Sequence, residues 1–174
     1  MRVSGFPLLF VAAILVGCSP DGDRTPTASM DTQRVSLDHK EHTRSKTIHG
    51  TLNAAEVGAP QPGSPIIVRR IDGEGIATHL GRFTVAGTFT LNLITATGAG
   101  TAIYTAANGD MLSATVSGSA VLASGIATVT ETVTVTGGTG RFAGATGTLT
   151  VVRRVTQATG LSTGVMDGTI TLAH

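Results

Sequence analysis

From Ala127 to Thr136 the residue type switches at every step: Ala127, Val129, Glu131, Val133 and Val135 alternate with Thr128, Thr130, Thr132, Thr134 and Thr136. Successive side chains fall on opposite faces only when the backbone is extended, so a period of two marks a strand with one buried and one wetted face. Ile126 to Thr136 is read as such a strand. It needs hydrogen-bonded neighbours on both edges and a packing partner for its valine face.

The same pattern continues on both sides. Strands are expected over about Thr47 to Asn53, Ile66 to Leu80, Arg82 to Ile94, Gly98 to Thr105, Met111 to Leu122, Thr146 to Thr156 and Thr163 to Leu172. Leu80-Gly81-Arg82 reads either as a sharp turn or as a bend within one long strand. Asn108-Gly109 is a type I′ hairpin signal, and Ser124-Gly125 is a weaker one. Consecutive hairpins build a meander. A meander of about eight strands removes its exposed edges by closing on itself, with an interior that is filled or holds one small ligand. The expected fold is all-β, an eight-stranded antiparallel up-and-down barrel; a two-sheet sandwich is the alternative.

Composition agrees with this architecture and narrows the partners. Gly, Thr, Ala and Val dominate, as suits short strands joined by tight turns. The 174 residues suffice for one ordinary domain. With 12 basic and 11 acidic residues the chain carries no charge excess for a polyanion, and no nucleic-acid partner is expected. No Trp, one Tyr and five Phe leave few platforms for stacking bases or sugars.

The amino-terminal stretch has a different logic. Arg2 precedes the apolar run Phe6 to Val16, and the small residue Gly17 precedes Cys18, which is the pattern of a signal peptide over residues 1 to 17. The run is shorter than the roughly 20 residues that span a bilayer. Leu15-Val16-Gly17-Cys18 resembles the lipobox of bacterial lipoproteins. That resemblance implies diacylglycerol on the Cys18 sulfur, cleavage before it and acylation of the new amino terminus, giving two or three palmitate-type chains that anchor stably. Membrane attachment through Cys18 and a cell-envelope location are expected. Ser19, being other than Asp, implies transfer to the outer membrane in a diderm bacterium. Cys18 is the only cysteine, so its acylation leaves no thiol for catalysis or metal binding.

Residues 18 to 46 are polar, mixed in charge and without apolar periodicity, and are read as a tether between lipid and domain, the barrel occupying 47 to 174. Asp38-His39-Lys40-Glu41-His42, with His49, has metal-ligand residue types but no regular structure to fix them. No metal or cofactor is expected.

The glycine run Gly137 to Gly147 lacks the spacing of a dinucleotide fingerprint and leads into a strand where that motif requires a helix. Gly137 to Phe142 resembles the turn motif of the allene oxide cyclase and dirigent superfamily of eight-stranded barrels. Together with Ala77-Thr78-His79-Leu80-Gly81-Arg82-Phe83-Thr84 and Ala107-Asn108-Gly109-Asp110, it is similar to the bacterial branch of that group over about residues 65 to 172. The resemblance implies the barrel fold. Plant members cyclise an oxylipin epoxide or steer coupling of phenolic radicals, but none of their catalytic residues matches a position here, so no activity is implied.

Glu131 is the most informative polar residue, because alternation places its carboxylate on the valine face. Pairing through Ser124-Gly125 sets Gly118 beside it, and pairing through Gly138-Thr139-Gly140 sets Gly147 on its other side. The same alternation turns Arg153 inward, opposite Gly164. In each of Arg69-Arg70 and Arg153-Arg154, at most one side chain points outward. The candidate ligand pocket comprises Glu131, Arg153, His79 and Arg82, with Glu131 as the weak candidate for a catalytic group. Two functions follow from different classes. One is a non-catalytic lipoprotein whose barrel binds a small apolar ligand or serves as a structural module. The other is an isomerase or cyclase-like enzyme using Glu131.

Overall fold

The computed structural model describes residues 44–60 and 62–173. The expected signal peptide, Cys18 and most of the expected tether lie outside them. Eight strands follow in order: β1 Arg44–Val57, β2 Ile66–Ala77, β3 Gly81–Asn92, β4 Thr97–Ala106, β5 Met111–Ala123, β6 Ile126–Gly138, β7 Thr146–Thr156 and β8 Leu161–Leu172. Each pairs antiparallel with its sequence neighbour, and β8 returns to β1 to close the barrel. The up-and-down barrel is thus as expected, and the sandwich is not formed. All eight strands find both partners within 44–172, so closure needs nothing from the preceding chain.

Alternation decides the faces. In β6, Ala127, Glu131, Val133 and Val135 are buried while the threonines opposite them are largely wetted. One end of the barrel is plugged. There Ile48, Leu80, Leu112, Phe142 and Ile170 are buried almost completely, Phe142 coming from a single 3-10 turn at Gly140–Phe142. Arg141 staples that turn: its guanidinium stacks 4.8 Å from the Phe142 ring centroid and donates to the Leu80 carbonyl at 3.1 Å.

Several boundaries differ from the sequence reading for physical reasons. β1 starts at Arg44 because Arg44, Ser45 and Lys46 pair with Leu172, Thr171 and Ile170, taking three residues from the presumed tether. It also runs past Asn53 to Val57. Leu80-Gly81-Arg82 belongs to a sharp turn, in which His79 and Gly81 both have positive φ, 63° and 69°. Asn108-Gly109 makes a hairpin but not a type I′ turn. Only Gly109 is left-handed, Gly109 N–H donates to the Ala106 carbonyl, and Asp110 N–H bonds the Asn108 side chain, so the loop is a type I turn with a glycine bulge. The type I′ turn is the other one: Ser124 and Gly125 are both left-handed, at 50° and 77°.

Candidate functional site

The inward faces of β6, β7, β1 and β2, with β8 between β7 and β1, bring four charged side chains together near the other end of the barrel. Arg153 on β7 donates from Nε and Nη2 to the two oxygens of Glu131 on β6, at 3.0 and 2.6 Å. Its Nη1 reaches across to Glu56 on β1 and to Ser162 Oγ on β8, the latter at 3.2 Å. Ser162 Oγ in turn donates to the Ala54 carbonyl at 3.3 Å. The second oxygen of Glu56 accepts from Arg69 on β2 at 3.0 Å. Two carboxylates and two guanidiniums therefore form one neutral chain, Glu131–Arg153–Glu56–Arg69.

Burial makes this pairing obligatory. Arg153 and Glu131 are only 4% and 8% exposed, and an isolated charge at that depth costs several kcal/mol. Burial works against the charge on Arg153, yet the hydrogen bonds and charges of Glu131 and Glu56 outweigh it and raise the guanidinium pKa. Two glycines make room. A Cβ on Gly164 would stand 2.6 Å from Arg153 Cγ and 2.8 Å from the Val152 carbonyl, and one on Gly118 would stand 2.5 Å from the Thr130 carbonyl and 3.0 Å from Glu131 Cγ.

The charged layer divides the interior. Below it lies a void of about 20 Å³, lined by Tyr104, Glu131 and Arg153 among apolar side chains, with room for one water molecule. Tyr104 packs edge-on against Phe83, and burial, reinforced by the Glu131 charge and opposed by Arg153, raises its phenol pKa. Above the layer, a cavity of about 210 Å³ opens to the barrel mouth. Its walls include Phe89, Leu91, Leu122, Ala127, Val129 and Val155, and Glu56, Arg69 and Arg153 also line it. Arg69 bonds Glu56 through Nη1, while its buried Nε has no partner among the described residues. The chamber thus joins apolar walls to a charged floor in which Glu56, Arg69 and Arg153 take part.

The structure brings Glu131 and Arg153 together and leaves His79 and Arg82 out. His79 is an exposed turn residue and Arg82 an outward residue of β3, both at the plugged end. Gly118 stands opposite Glu131, and Gly164 opposite Arg153, as expected. Gly147 does not flank Glu131. It pairs with Val135, while Glu131 faces Val151, because the β6–β7 connection holds the Gly140–Phe142 turn and is longer than a tight hairpin. Glu56 and Arg69 were not nominated, although the period of two extended through Ile48, Gly50, Leu52 and Ala54 to Glu56 points to it. The Asp38–His42 cluster lies outside the described residues, and His49, read together with it, pairs with Asp167 on the outer surface.

Chemically, both Glu131 oxygens are committed to Arg153, so the carboxylate would have to leave that partner before serving as a base.

No family model and no curated protein matches the chain. Solved structures do. A pterocarpan synthase dirigent protein, GePTS1, superposes with a TM-score of 0.57 at 16% identity, over 86% of this chain and 100% of that one. The barrel has the dirigent fold. A second pterocarpan synthase dirigent protein, PsPTS1, gives a TM-score of 0.58 at 15% identity over 78% of this chain and 98% of its own. At these identities the likeness concerns the dirigent-type barrel and not its chemistry.

Proposed function

We propose that the chain is an exported lipoprotein, anchored through Cys18, whose dirigent-type barrel binds a small, mainly apolar ligand by its acceptor end in the mouth cavity. The observation that carries the binding is Arg69, which lines a chamber with apolar walls and, among the described residues, bonds Glu56 through Nη1 alone. A guanidinium with donors to spare at the edge of an apolar chamber is a partner for a ligand carboxylate or carbonyl. That barrels of this fold include pterocarpan synthases is consistent with a small organic ligand. Anchoring rests on the lipobox-like Leu15-Val16-Gly17-Cys18 and on Ser19, which favours the outer membrane in a diderm cell.

Binding is tested by titrating 4-phenylbutyrate and its neutral analogue 4-phenylbutanol while following backbone amide resonances. The acid should perturb Leu91, Gly98 and Ala127 at the mouth and bind more tightly than the alcohol. Arg69→Met should erase that preference. Shifts confined to the outer surface would contradict the reading. Anchoring is tested separately: wild type should partition into detergent and Cys18→Ser into the aqueous phase, and equal aqueous partitioning of both would reject it.

A further inference from the structure

The two ends of the barrel differ in a way that ligand binding does not require. At the open end the four connections span residues 58–65, 93–96, 124–125 and 157–160, and they contain no Asp, Glu, Lys or Arg. Exposed aliphatic side chains encircle the mouth instead: Val57, Ile66, Ile94, Val121, Leu122 and Leu161, with Ile94 at 80% and Val121 at 72% exposure. The plugged end carries Arg44, Arg82, Asp110 and Arg141. Scattered exposed apolar residues need no explanation, but a ring of them on charge-free tips does.

We propose that this rim docks on a lipid surface, so that the mouth of the barrel opens against the membrane. Three observations select lipid over a protein partner. The exposed large apolar side chains of the rim are all aliphatic, without the Tyr, Trp or Arg anchors that dominate protein interfaces. Its side chains stand on separate hairpin tips around an opening, which suits insertion between acyl chains better than contact with a flat protein face. Outward positions on β2 then run Ile66, Val68, Arg70, Asp72 away from the mouth, and Arg154 faces outward near the end of β7, which sets cations below the aliphatic ring at the depth of anionic headgroups. Docking is a property of the barrel itself and does not depend on the acylation of Cys18.

The closed barrel, residues 44–174, contains no cysteine, so single labelling sites are readily placed. A polarity-sensitive dye on Ile94→Cys should shift to the blue on vesicles of phosphatidylethanolamine with a quarter phosphatidylglycerol, while the same dye on Asn108→Cys, at the plugged end, should not respond. The unlabelled barrel should float with these vesicles, and Ile94→Asp/Val121→Asp should float at least tenfold less with an unchanged melting temperature. Dye at both ends responding alike, no flotation of the wild type, or flotation of a folded Asp variant would overturn the proposal. So would a blue shift at position 94 that grows with protein concentration in the absence of vesicles, which would make a second copy the occupant of the rim.

Discussion

Arg153 meets Glu131 side-on, its Nε and Nη2 closing a two-bond fork with the carboxylate between β7 and β6 in the interior of the barrel. Bidentate geometry of this kind is strong because two charge-assisted bonds share one orientation. Glu131→Gln should therefore cost about 3 kcal/mol or more in urea unfolding, since it weakens the hold on a buried guanidinium. Replacing both partners, Glu131→Leu with Arg153→Leu, leaves Glu56 paired to Arg69 and should cost less than the single change. Equal stability of Glu131→Gln and wild type would show that the fork contributes nothing.

Tyr104 supplies a pH dependence that can be followed directly, because it is the only tyrosine and there is no tryptophan. Its raised pKa means that above pH 10.0, the ordinary phenol value, the unfolded chain loses a proton that the folded chain keeps. The stability this provides is fully present below that pH and is lost as the pH rises further. Phenolate absorbance should stay silent near pH 10 and appear together with the loss of β-structure at higher pH. A reversible titration near pH 10 in the folded protein would contradict the burial of Tyr104.

Gly164→Ala tests the space beside Arg153. With the new Cβ 2.6 Å from Arg153 Cγ, the arginine must shift or the strands must part, at about 1–3 kcal/mol. Thermal unfolding reads the loss. An unchanged melting temperature would show that the fork adapts freely.

His79 sits in the left-handed region with φ 63°. His79→Gly should leave stability unchanged or raise it by up to about 1 kcal/mol, and should leave mouth binding of 4-phenylbutyrate untouched. A loss of binding would return His79 to the site.

The fold and half of the charged layer were legible in the sequence for one reason: the period of two assigns faces without knowing the partners. It turned Glu131 and Arg153 inward, and two-strand pairing through Ser124-Gly125 placed Gly118 correctly. It failed where a connection holds structure of its own, so Gly147 was set four residues from its place opposite Val135. Glu56 was missed because Ala54-Ala55 carries weak strand preference, and what holds that segment extended is pairing with β2 and β8, invisible locally. His79 and Arg82 looked like chemistry but answer to turn geometry and to the outer face. The link from Glu131 to Arg69, spanning five strands from β6 through β8 to β2, exists only after closure.

The account stands most directly on what the mouth cavity holds. Protein purified from the cells that make it should be extracted with organic solvent and the extract analysed by mass spectrometry, alongside Ala120→Phe, which projects a ring into the cavity lined by Ala120. The wild type should yield a small apolar compound with an acidic or carbonyl group in near-equal amount to the protein, and the folded Ala120→Phe variant should yield little. No compound from the wild type, or the same amount from both, would contradict the account.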